Sequence, residues 1–82
     1  METGEILRAV NDICIKVLDD KNIVLKKETA AIDVPGWDSL AHIQLIVAIE
    51  KYFKIRFMTS EIMGFKNVGD ICEKVQRLLT KT

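Results

Sequence analysis

This chain of 82 residues carries no net charge, because twelve lysines and arginines balance twelve aspartates and glutamates. The balance excludes a nucleic-acid footprint, which needs a basic patch and usually a high isoelectric point. Long hydrophobic runs are missing as well. The longest, Leu45 to Ile49, falls far short of the about 20 apolar residues that span a membrane. The opening METGEILRAV has neither the basic region nor the apolar stretch of an export signal. Cysteine is scarce: Cys14 and Cys72 show no metal-ligand spacing, so they read as reduced thiols in a cytoplasmic protein with no permanent metal. Repeats and low-complexity tracts are absent. A chain this short makes one domain, residues 1–82, and hides only about 60% of the surface its unfolded form exposes. Such a thin core leaves little room for a deep catalytic pocket. At 49% hydrophobic and 29% charged residues, however, it is a globular domain and not a disordered one.

What is present is helical periodicity. Ile6, Leu7, Val10, Ile13, Cys14, Val17 and Leu18 recur at spacings of three, four, seven and eight, which predicts an amphipathic helix over about 3–19. Thr3 is its expected N-cap. Residues 20–38 show no sustained period and form a long loop. There Val34 is extended ahead of Pro35, Gly36 allows positive φ, and the Ile23, Val24, Leu25 cluster and Ile32 are expected to tuck under the loop. A second helix is expected over about 39–54. A short one over about 60–64 would be capped by Thr59 or Ser60, and Asn67 would cap a last helix over about 68–80. No strand-like alternation competes. The fold class is all-α, a small four-helix bundle of three main helices and one short helix, with the long loop between helices 1 and 2.

The second helix is more apolar than one core requires. At about 100° per residue, Leu45, Ile46, Ile49 and Phe53 form one stripe, and Leu40, Ile43 and Val47 form another roughly 150° away. The second stripe either packs beneath the long loop or stands exposed as a docking ridge. The helix also begins with Asp38 and Ser39, both good caps. Its N-terminal N–H groups and positive dipole end suit a phosphate equally well.

GWDSLAHIQLIVAIEKYFKI, residues 37–55 with the preceding glycine, resembles the centre of an acyl carrier protein or peptidyl carrier domain, and the likeness extends over essentially the whole chain. In that family an Asp-Ser-Leu triplet opens the second helix and the serine carries a phosphopantetheine arm. The resemblance implies that Ser39 is the attachment site and that Asp38 helps bind the magnesium ion of the phosphopantetheinyl transferase, a hard cation that takes oxygen ligands. It implies partner docking through Leu40, Ile43 and Val47. Ile46, Ile49, Ile62 and Ile71 would line any space sheltering a short acyl group. The implied function is to carry acyl or aminoacyl intermediates as thioesters and present them to partner enzymes; tethering raises the cargo's effective concentration. Partners would be the transferase and the enzymes that load and transfer acyl or aminoacyl groups, acting on a monomeric, non-catalytic carrier.

The chain departs from the family in charge. Carriers of fatty-acid synthesis are strongly acidic along the second helix, whereas here Glu50 is opposed by Lys51, and Ala41 and Gln44 stand where acids are common. Charge complementarity steers partner choice. A dedicated pathway is therefore expected, such as polyketide, nonribosomal peptide or surface-sugar chemistry. Lys26, Lys27, Lys51, Lys54 and Arg56 read as unclustered solvated faces. Trp37 should pack over the helix start, with His42 a partly buried polar residue near the arm. Two other functions compete. A helical interaction module would use the apolar ridge with Ser39 as a mere cap, and an esterase would use Asp38, Ser39 and His42. The esterase lacks the oriented base, oxyanion site and cleft that such chemistry needs.

Overall fold

The computed structural model describes residues 2–80. Four α-helices and one 3-10 turn follow in order: α1 Thr3–Leu18, the turn Ala31–Asp33, α2 Ser39–Phe53, α3 Thr59–Gly64 and α4 Val68–Thr80. The described residues form no strand. Helix α1 packs against both α2 and α4. Its buried stripe is Ile6, Val10, Ile13 and Cys14, and α4 answers with Val68, Ile71, Cys72 and Val75. Helix α2 adds Ala41, Leu45, Ile46, Ile49 and Phe53. Fully burying each isoleucine or valine contributes about 1.5–3 kcal/mol, so these three stripes hold the bundle.

Two caps differ from expectation. The N-cap of α1 is Glu2, not Thr3, and the Glu5 carboxylate reaches back to the Glu2 N–H at 3.5 Å. The N-cap of α3 is Met58, not Thr59 or Ser60, and its N–H donates to Glu61 Oε1 at 2.8 Å. In both cases a carboxylate at the third helical position satisfies the cap N–H, as in the second half of a capping box. The hydroxyls therefore fall inside the helix. Asn67 Oδ1 does accept from the Asp70 N–H, at 2.9 Å.

The long loop is held from both sides. Asn11 on α1 accepts from the Leu25 N–H at 2.6 Å and donates to the Ile23 carbonyl at 3.3 Å. This clamp turns Ile23 and Leu25 into the core. Val24, between them, is 77% exposed, contrary to the expectation that it tucks under. Ile32 is likewise exposed, at 93%, because the 3-10 turn directs it outward. At the far end, the first N–H groups of α4 donate to the loop: Val68 to Thr29 and Gly69 to Lys27, each at 2.8 Å. A Cβ on Gly69 would lie 2.9 Å from the Lys27 carbonyl oxygen. That close approach needs glycine.

Candidate functional site: the start of the second helix

The chain enters α2 through a tight turn. Val34 is extended, Gly36 adopts φ of 87°, and the Trp37 N–H returns to the Val34 carbonyl at 3.2 Å. Trp37 is buried against the core cluster. Asp38 then caps the helix, its Oδ1 accepting from the Ala41 N–H at 2.8 Å. Ser39, the first helical residue, is exposed, and its hydroxyl makes no hydrogen bond to any described residue. Of the two expected caps, Asp38 alone does that job. The serine oxygen is left free at the positive end of a 15-residue helix.

Leu40, Ile43 and Val47 are 65%, 57% and 41% exposed. They do not pack beneath the loop, whose core contacts come from Ile23, Leu25 and Val34 instead. Further along α2, Lys51, Lys54 and Arg56 line one surface depression together with Val47, a grouping not evident from sequence. Glu50 lines the same depression, its Oε2 accepting from the Phe57 N–H at 2.8 Å, so three cations there face one carboxylate.

His42 joins three parts of the fold. The Trp37 indole N–H donates to His42 Nδ1 at 3.1 Å, and His42 Nε2 lies 3.2 Å from the Ile62 carbonyl on α3. An indole nitrogen can only donate. Nδ1 is therefore the acceptor, and Nε2 carries the proton donated to Ile62. Both ring nitrogens are committed, so no lone pair remains to activate Ser39, and one oxygen of the Asp38 carboxylate is held by the helix cap.

Ser39 opens onto a groove of about 540 Å³ lined also by Ile32, Trp37, Ile43, Ile62 and Met63. The four isoleucines expected to line an acyl space meet at the core cluster, against which Ile62 packs. Ile46, Ile49 and Ile71 are fully buried in the core, while Ile62 belongs to the groove. Cys14 and Cys72 are fully buried free thiols, both pushed up to about 11, chiefly by desolvation. Asp20 adds to the rise at Cys14; at Cys72, Lys27 opposes it and Glu73 adds to it. No helix of the described residues is long and apolar enough to cross a membrane.

A family model described as the phosphopantetheine attachment site matches residues 8–75. The chain belongs to the acyl carrier protein family. An acyl carrier protein homolog of Mycoplasma genitalium is 32% identical over 85 residues, covering 99% of this chain and 96% of that protein. The acyl carrier protein of Phytoplasma mali is 38% identical over 60 residues, 73% of this chain and 69% of that one. The solution NMR structure of holo acyl carrier protein from Geobacter metallireducens aligns with a TM-score of 0.85 at 44% identity, over 92% of this chain and 86% of that chain. The carrier is thus an all-helical acyl carrier whose cofactor is covalently attached phosphopantetheine. Its family works with phosphopantetheinyl transferases and acyl-handling enzymes. The start of α2 fits such a group. It offers an exposed, unbonded hydroxyl, helix N–H groups for a phosphate and an apolar groove alongside.

Proposed function

We propose that Ser39 bears the phosphopantetheine and that residues 1–82 act as one monomeric carrier domain in the cytoplasm. The observation that carries this reading is the division of labour at the helix start: Asp38 caps, and the Ser39 hydroxyl is exposed without a structural bond. When bound, the cofactor supplies a thiol that holds acyl or aminoacyl groups as thioesters. Ser39 anchors it, and the α2 N–H groups and dipole favour its phosphate. The Asp38 carboxylate, one residue away, is available to the transferase's magnesium ion while its other oxygen holds the cap. Leu40, Ile43 and Val47 present apolar surface to the transferase and to the enzymes that load and unload the carrier.

The partners belong to a dedicated biosynthetic pathway, not bulk fatty-acid synthesis. What supports this is the balanced charge and the cationic end of the docking helix at Lys51, Lys54 and Arg56. Ser39→Asp tests the carrier reading against a plain interaction module. The variant keeps the Asp38 cap and should melt like wild type, yet accept no acyl group from a transferase and acyl-coenzyme A. An acyl-loaded Ser39→Asp protein would refute the assignment.

A further inference from the structure

The exposed face of α2 changes character along its length. Leu40, Ile43, Val47, Lys51 and Lys54 follow one another at spacings of three, four, four and three. At about 100° per residue they fall within about 80° of one another, so the apolar ridge runs on into two lysines. Val47 ends the ridge and also lines the depression where Lys51 and Lys54 meet Arg56, from the chain just after the helix. All three cations are exposed, and none pairs with a carboxylate among the described residues. Glu50 supplies the carboxylate of the depression, but it is half-buried and its Oε2 is taken by the Phe57 N–H. The cationic surface is left without an internal partner.

We propose that this end of α2 docks a partner enzyme through a cluster of carboxylates on the enzyme's surface, next to the apolar patch that receives the ridge. Lys51 lies twelve residues beyond Ser39, about 18 Å along the helix at about 1.5 Å per residue, which sets the distance from the partner's arm entrance to its acids. Charge selects the partner. Three cations against one engaged carboxylate repel basic surfaces and steer acidic ones onto the ridge. A compact phosphate fits poorly, because the C-terminal end of α2 offers carbonyl oxygens and the negative end of the dipole. Lysine and arginine arms instead reach outward, and the Arg56 guanidinium matches a carboxylate through two parallel bonds. The depression is concave, which suits the protruding side chains of a protein better than the plane of a bilayer. The inference deepens the proposed function, since it rests on Leu40, Ile43 and Val47 being where partners dock.

The test titrates the isotope-labelled full chain with two helical peptides and follows its amide shifts by NMR. Both peptides carry leucines along one face; one ends in four glutamates and the other in four lysines. The glutamate peptide should bind about tenfold more tightly at low salt, a margin within reach of three exposed ion pairs. It should shift the amides of Val47, Lys51 and Arg56, and salt at about 0.5 M should remove the margin. In Lys51→Glu/Arg56→Glu the preference should reverse; if that chain does not fold, Lys51→Gln should shrink the margin instead. Equal binding of the two peptides, or shifts confined to other parts of the chain, would overturn the proposal. So would inorganic phosphate or phosphatidylserine vesicles that displace the glutamate peptide at an equal concentration of anionic groups. Intact mass after transferase treatment reports Ser39 separately. A chain that fails to load yet prefers the glutamate peptide would refute the attachment site and support the docking face. One that loads but shows no preference would keep the attachment site and lose this face.

Discussion

The Trp37 indole N–H and His42 Nδ1, 3.1 Å apart, make the contact that sets the histidine's tautomer and ties the turn before α2 to α3. Trp37→Phe keeps most of the buried ring and removes the donor. It should cost about 0.5–1.5 kcal/mol in urea unfolding and let the Nδ1-protonated tautomer appear in imidazole nitrogen spectra. Spectra still reporting pure Nε2–H would show that Trp37 does not set the tautomer.

Asn11 is half-buried in α1 and serves the loop alone, accepting from Leu25 and donating to Ile23. Asn11→Ala leaves the Leu25 N–H without that acceptor. A loss of about 1–3 kcal/mol is expected, with amide exchange faster at residues 23–25 than in α4. Unchanged exchange there would mean that Asn11 does not hold the loop.

Gly4 and Gly69 both lie in helices, yet alanine should act oppositely at the two. Nothing stands within 4 Å of a Cβ built on Gly4, so Gly4→Ala should stabilise by about 0.5–1 kcal/mol. At Gly69 the new Cβ meets the Lys27 carbonyl at 2.9 Å, backbone that cannot simply swing away. Gly69→Ala should therefore lower the melting temperature and loosen residues 26–30.

The buried thiols give stability a sign at high pH. Cys14 and Cys72 ionise near 9.0 when unfolded and about 11 when folded. Between those values the unfolded chain has released protons that the native one retains, so stability falls as pH rises from about 9 to about 11. Replacing both residues with alanine should flatten the decline while lowering stability at pH 7 through lost packing. Thiol reagents at pH 8 should react slowly with folded protein and fast in denaturant.

How much of this could be read beforehand depends on the range of the interaction. The stripes of α1, α2 and α4 were legible because helical spacing alone decides which of Ile6, Val10, Leu45, Ile49, Ile71 and Val75 share a face. The two faces of α2 were legible for the same reason. Val24 and Ile32 were misplaced because their direction is set by Asn11, twelve residues or more away, and by a three-residue turn with no periodic signal. Met58 as a cap was hidden because the group that satisfies it belongs to Glu61. The His42 bridge spans residues 37 to 62, and no spacing rule joins Trp37 to the Ile62 carbonyl.

The central claim is that the Ser39 hydroxyl, which makes no hydrogen bond to any described residue, is where the arm is attached. Intact-mass measurement after incubation with coenzyme A, magnesium and a broad-specificity phosphopantetheinyl transferase tests it most directly. Wild type should gain one phosphopantetheine. Ser39→Ala should gain none while its stability stays within about 0.5 kcal/mol. A wild-type chain that remains unmodified, or a Ser39→Ala chain that still takes up the group, would contradict the account.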